Sequence, residues 1–350
     1  MNKLAGRSTV VATTADVERE IVRMLWTFHF ATQDQLSRLI WNDAAPMARR
    51  RLKPALTRLL TMHMIWREPR RTLPGYSSHT HGQASGGWYY GLTEAGKAWG
   101  SSRMPELRGL HCITREGYLS DPDRRTITHS VHCSEYCARL IQYLRTHPLA
   151  VGMFFETEST VLGAHLRMDC LLRLRLHRQA PPGEPRAPAR PPWYVPWLPT
   201  LRTPTLPRTL DATFALEIDE SSEHRQVLED KVLNYRRTFA YGLPGGQQVL
   251  AALGAEDVVP TVHWQTVLCP MDAPEPIEAR LISFPIPVFV MKDEGRLATV
   301  WQAWSRGWPD AEVRMTTWAL LNAARSLLSA PYLNQERRWV DLLGSPLDDE

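Results

Sequence analysis

The chain has 350 residues, 43% hydrophobic and 22% charged, which is the balance of a folded globular protein of two or three domains and excludes wholesale disorder. No apolar run reaches the roughly 18 residues of a membrane span, the N-terminus lacks an apolar leader, and five cysteines in no regular framework fit a reducing compartment. A cytoplasmic location with no membrane partner is therefore expected. The formal charge of +4 hides an asymmetry, because residues 1–110 hold 16 Lys and Arg against 8 Asp and Glu, a net of +8 that leaves −4 for the remainder. A basic N-terminal third is what a polyanion-binding module presents.

Residues 1–15 read as a flexible N-terminus. From Asp16 to Phe28 the apolar residues Val17, Ile21, Met24, Leu25 and Phe28 recur at helical spacing. Thr32 and Gln35 form the pattern of a capping box that opens a second helix with Leu36, Leu39 and Ile40 on its buried side. A third helix is expected from near Asp43, burying Leu52, Leu56, Leu59 and Leu60. It carries Arg49, Arg50, Arg51, Lys53 and Arg58, and Pro54 predicts a kink or restart within it. Two strands, Met64–Glu68 and Trp88–Leu92, flank a long loop with Arg70 and Arg71. The segment closes on Tyr90-Gly91-Leu92-Thr93-Glu94-Ala95-Gly96, where Thr93 can cap a further helix.

Three helices, a hairpin and this closing motif resemble winged helix-turn-helix DNA-binding domains, so residues 16–110 are expected to form one. The resemblance implies that the third helix enters the major groove of double-stranded DNA. Its arginines would contact phosphates or guanine edges, and Arg70 and Arg71 would reach an adjacent groove or the backbone.

Beyond residue 125 the pattern becomes α/β. His129–Leu144 reads as a helix, and Val151–Val161 and Leu166–Leu176 as strands; in the second of these, Asp169 lies in phase with Arg173 and Arg175. Residues 179–210 contain ten prolines in 32 positions, which excludes a regular helix or a central strand and predicts an insertion, with Trp193, Tyr194 and Trp197 as its ordered part. The core resumes in Thr213–Asp219, where Glu217 and Asp219 share one face. Ser221 or Ser222 then caps a helix that buries Leu228, Val232, Tyr235 and Phe239. Further strands are expected at Thr261–Leu268 and Leu281–Met291, further helices at Leu297–Ser305 and Trp318–Leu328, and a C-terminal tail at residues 331–350. Trp301, Trp304 and Trp308 are candidates for a partner surface.

The Tyr90-to-Gly96 motif, His129 before its helix, Met168-Asp169, Leu216-Glu217-Ile218-Asp219, and Lys231 with Tyr235 as K-x-x-x-Y occur in order over residues 16–240. In this succession the chain resembles the replication-relaxation family of bacterial mobile-element proteins. The resemblance implies a two-domain α/β (α+β) protein, a winged helix followed at 125–330 by a restriction-endonuclease-like mixed-sheet core. It implies work in replication, mobilisation or transcriptional control of a plasmid or other mobile element.

Enzymes of that nuclease fold place an Asp on one strand and Glu-x-Lys on the next, holding divalent metal for phosphodiester hydrolysis. The corresponding residues here are Asp169, Glu217 and Asp219, with Asp211 competing for the first place. Asp219 stands where a lysine is usual, adding an anion to two others. Magnesium on Asp169, Glu217 and Asp219 would relieve the repulsion, and Lys231 would serve as a displaced catalytic lysine. The alternative is that Glu217 and Asp219 are ordinary strand residues near Arg173 or Arg175. The leading expectation is a DNA-binding protein, acting as a homodimer, with the degenerate core as scaffold or dimerisation platform and no cofactor needed to bind. A magnesium-dependent DNA endonuclease and an adaptor for a replication or regulatory protein are the alternatives.

Overall fold

A computed structural model of the protein describes residues 13–41, 46–69, 87–108, 111–120, 126–145, 147, 150–159, 166–177, 194–196, 209–219, 224–241 and 284–347. The protein is α/β, and its internal contacts divide it into two units, Met1–Ala138 and Arg139–Glu350.

In the first unit, helix α1 (Thr14–Phe28) begins before Asp16 because Thr13 and Asp16 satisfy each other's backbone N–H groups in a capping box. It stops at His29, whose φ of 63° is incompatible with a continued right-handed helix. Strand β1 (Phe30–Thr32) follows, too short for its alternation to register in the sequence. Helix α2 (Gln33–Trp41) opens on the expected reciprocal pair, with Thr32 N–H donating to Gln35 at 2.8 Å and Gln35 N–H to Thr32 at 3.2 Å. Helix α3 (Pro46–Thr61) starts on a proline, whose fixed φ and missing N–H suit the first helical position.

The restart expected at Pro54 does not occur. Helix α3 passes through it unbroken, because Pro54 and the preceding turn at Arg50 face solvent, where an unpaired carbonyl is hydrated. Its buried stripe is Ala48, Leu52, Ala55, Leu56 and Leu59, with Leu60 only half-buried at the margin. Strands β2 (Ile65–Pro69) and β3 (Trp88–Leu92) complete an antiparallel sheet in the order β1-β3-β2. The loop arginines Arg70 and Arg71 lie outside the described residues.

Helix α4 (Glu94–Arg103) follows at once, its Gly96 N–H donating to the Thr93 hydroxyl at 3.1 Å. The Met64 carbonyl accepts from Thr93 N–H at 3.2 Å, and a Cβ on Gly96 would lie 1.9 Å from that same oxygen. Tyr90 and Leu92 are buried, Thr93 caps, and Gly96 admits the carbonyl, so the closing motif is a packing joint.

Helix α5 (Arg115–Ser120), which the sequence analysis did not anticipate, precedes α6 (Thr126–Leu144). The N-terminal part of α6 is fastened within the first unit. The Ser134 hydroxyl donates to the Phe30 carbonyl at 2.8 Å, and Gln35 donates to the Val131 carbonyl at 3.0 Å and to Glu135 at 3.1 Å. Arg38 pairs with Glu135 at 2.5 Å.

The second unit is built on an eight-stranded mixed sheet. Its strands are β4 (Ala150–Ser159), β5 (Met168–His177), β6 (Tyr194–Pro196), β7 (Thr209–Asp219), β8 (Ile286–Met291), β9 (Arg314–Thr317), β10 (Tyr332–Leu333) and β11 (Trp339–Val340). They stand in the order β11-β10-β9-β8-β7-β5-β4-β6, with β7, β8 and β9 mutually parallel. The proline-rich insertion supplies β6, which pairs with β4 at the sheet edge, the position where a strand tolerates proline. Helices α7 (Arg225–Tyr241) and α8 (Glu294–Gly307) cover one face. There Leu228, Val232, Tyr235, Val300 and Trp304 bury themselves against Leu171, Ala215, Phe289 and Met315.

Helix α9 (Trp318–Ala323) is shorter than the expected 318–328, because the backbone turns extended at Ala324 and the Ser326 hydroxyl closes a local turn on Ser329 N–H at 3.1 Å. Residues of the expected tail form β10 and β11, and the buried Arg314 guanidinium holds the segment beyond them through the Leu342 carbonyl at 3.2 Å. The expected strand at 261–268 and the cap at Ser221 or Ser222 lie outside the described residues. No described helix is long and apolar enough to cross a membrane.

The α4 joint makes a direct prediction. Gly96→Ala must displace a backbone carbonyl that already accepts the Thr93 bond, so it should lower stability by about 1–3 kcal/mol, the usual cost of overpacking. Urea unfolding of the two proteins at one pH measures it, and an unchanged midpoint would refute the joint.

Candidate functional site

Two groups of side chains merit chemical attention, one in each unit. In the first, the five cations expected on the third helix separate into two classes. Arg49 bridges to Asp34 of α2 at 3.2 Å, and its carbonyl accepts from Gln33 at 2.8 Å. Arg58 reaches back to α1, where its Nε lies 3.4 Å from Glu18, a carboxylate only 5% exposed. These two arginines strap α3 to its neighbours near both ends. Arg50, Arg51 and Lys53 are exposed between the straps. Arg50, Lys53, Thr57 and Arg58 line an open depression along this outer surface. Donors of these types suit phosphate or a guanine edge.

In the second unit the carboxylates are brought together as their strand phase requires. The pairing of Leu171 with Ala215 sets Asp169 and Glu217 on one face of adjacent strands. The backbone ladder between β5 and β7 ends at Cys170 and Leu216, and just beyond it Asp169 Oδ2 accepts the Ile218 N–H at 2.6 Å. A side chain thus replaces a main-chain acceptor where the strands part. Asp211 pairs in register with Arg175 and lies six residues before Glu217, about 20 Å along an extended strand. Asp169 is therefore the carboxylate beside Glu217.

Glu217 is 1% exposed, and both its oxygens are engaged by α7. The Tyr235 hydroxyl donates to Oε1 at 2.5 Å and the Lys231 ammonium to Oε2 at 3.1 Å. The K-x-x-x-Y spacing is one helical turn, which places both donors on one face of α7. Asp219, 4% exposed, pairs with Arg296 of α8 at 2.6 Å. Arg173 donates to the Thr213 hydroxyl at 3.2 Å. Sequence reasoning missed Arg296. Its signal was an arginine in the first turn of a helix capped by Asp293, where the dipole disfavours a cation unless it has a specific partner.

Burial pushes Glu217 up to about 7; Lys231 opposes the rise, Asp169 adds to it, and the Tyr235 hydrogen bond opposes it. Tyr235 is pushed well above its ordinary value by burial and then by Glu217. Three carboxylates are hard oxygen donors suited to magnesium. Each, however, already holds a donor from this chain: the Ile218 N–H on Asp169, Tyr235 and Lys231 on Glu217, and Arg296 on Asp219. A metal bound by all three would displace them. The tryptophan cluster is packing. Trp304 is buried with its Nε1 donating to the Ala311 carbonyl at 3.1 Å, and Trp308 packs on Phe239 and Phe284.

Two predictions follow from these environments. Because the folded pKa of Glu217 lies above the ordinary 4.5, its contribution to stability is complete below about pH 4.5 and is lost as pH rises through about 7. Glu217→Gln cannot ionise, so its urea midpoint should change less than the parent's across that window; parallel pH profiles would refute the assignment. Arg296→Met leaves Asp219 charged and buried, which should cost about 3–5 kcal/mol, whereas adding Asp219→Leu should recover most of that loss. A double-mutant cycle by urea unfolding tests the pair, and additive losses would show no coupling.

No curated protein and no solved structure matches the chain. The replication-relaxation family matches residues 22–247, from within α1 to just past the helix that carries Lys231 and Tyr235. That span covers more than half of the sequence and includes both the α3 surface and the carboxylate cluster, and the protein therefore belongs to the replication-relaxation family.

Proposed function

We propose that this protein binds double-stranded DNA through a winged helix made by α1–α3 and β1–β3, in the replication, mobilisation or transcriptional control of a mobile element. The observation that carries the reading is the division of labour on α3. Arg49 and Arg58 are spent on Asp34 and Glu18, while Arg50, Arg51 and Lys53 project from a helix held rigidly behind them. Exposed cations on a helix fastened near both ends can meet duplex phosphates with a smaller ordering cost. The net charge of +8 over residues 1–110 and the order of helices and strands support the same reading.

The carboxylate core acts in this reading as a scaffold. A nuclease needs open coordination positions and a cation near the attacking hydroxide. Glu217 is closed off by Tyr235 and Lys231, and the residue two positions on is an acid already paired with Arg296. Its role is to join β7 to α7 and α8.

The triple variant Arg50→Ala, Arg51→Ala, Lys53→Ala should fold as the parent does, because none of the three makes a strap. It should bind duplex DNA more weakly, with the slope of log affinity against log salt reduced by about 2–3 through lost counterion release. Fluorescence anisotropy over a salt series measures both; unchanged binding would remove α3 as the interface. Supercoiled and linear DNA incubated with magnesium or manganese should remain uncut by the parent and by Glu217→Gln. Metal-dependent cleavage that the substitution abolishes would replace the scaffold reading with an endonuclease.

A further inference from the structure

Arg67 and Trp88 sit toward the end of the β2–β3 hairpin where its strands lead into their connection, and have no part in the α3 surface. Arg67 is registered against Tyr90, and Pro69 against Trp88, so Arg67 and Trp88 are diagonal neighbours on one face of the hairpin. The guanidinium carbon lies 4.3 Å from the centre of the Trp88 ring. Trp88 is half-buried and serves as a fixed platform, whereas Arg67 is exposed. Strand alternation directs the next residue, Glu68, to the opposite face, and among the described residues no carboxylate forms an ion pair with Arg67.

We propose that Arg67, laid across Trp88, is a second contact to the DNA sugar-phosphate backbone, separate from α3 and independent of base sequence. The proposal rests on the DNA-binding reading above and adds a residue that the charge runs of the sequence did not single out. Stacking occupies the face of the guanidinium, one N–H serves the Tyr90 hydroxyl across the strand pair, and the remaining in-plane donors can meet a phosphate. The ring holds the long side chain in one arrangement before ligand arrives, so less freedom is lost on binding. Strand β2 follows α3 after the three residues Met62–Met64, which puts this cation within the same basic unit. A lysine would keep the charge but lose both the fork and most of the stacking.

The test is anisotropy with a labelled duplex of arbitrary sequence over a salt series, using the full chain. Arg67→Ala should weaken binding on the order of 3- to 10-fold and lower the salt slope by about 0.9, one phosphate contact. Arg67→Lys should keep the slope while losing part of the affinity. Trp88→Leu should do the same, because the charge remains but its platform is gone. Circular dichroism and thermal midpoints establish that each variant is folded, and Arg67→Gln stands in if the alanine variant is not. Affinity and slope equal to the parent's in Arg67→Ala or Arg67→Gln, while the α3 triple variant loses binding, would overturn this contact and leave the α3 reading intact. Parent protein that does not bind duplex at all would overturn both.

Discussion

A carboxyl group with 1% exposure on a strand in the middle of a sheet is the constraint on which the second unit depends. Glu217 could not be buried there alone, because an ionised carboxylate without partners would lose far more in desolvation than packing returns. Tyr235 and Lys231 answer both of its oxygens from one turn of α7, and the same turn sets the rotation and height of that helix on the sheet. Leu228 and Val232 then fall onto Leu171, Ala215 and Phe289, and Trp304 of α8 closes against them. Asp219 and Arg296 repeat the device for α8 two residues further along the strand. Polar groups thereby specify which helix lies where over a surface that apolar contact alone would hold less selectively.

The first unit uses charge at its surface for a different end. An exposed arginine pair contributes little to stability, but Arg49–Asp34 and Arg58–Glu18 are each partly shielded, and they connect α3 to both of its predecessors. The helix is fixed in direction while its other cations remain outward. The Gly96 joint and the clamp of Gln35, Arg38 and Ser134 on α6 make the rest of the unit equally determinate.

Two of the motifs that carry the family resemblance have a mechanical meaning in the structure. The Tyr90-to-Gly96 run is the place where a strand, a helix cap and a close backbone approach coincide. The lysine and tyrosine four residues apart are two donors aimed at one acid. Asp219, two residues after Glu217, pairs with Arg296 from elsewhere in the chain, so its charge is met within the fold and not by a neighbour in the motif.

Features that depend on nearest neighbours were legible in the sequence: the Thr32–Gln35 box, the Thr93 cap, the apolar stripes of α1 and α3, and the phase of Asp169, Glu217 and Asp219. Each is set by backbone periodicity or by a hydrogen bond spanning three or four residues, and these do not depend on the rest of the fold. Several other outcomes needed the tertiary structure. Strand β1 has only three residues and exists because β3 pairs with it. Pro54 is tolerated because its turn of α3 happens to face solvent. Which arginines are outward and which are straps was decided by Asp34 and Glu18 on other helices. The partner of Asp219 lies 77 residues away, a pairing that no local pattern encodes. The sequence by itself determined the elements and the kinds of charge they carry; the packing of distant elements determined which charges are neutralised inside the fold and which remain for a ligand.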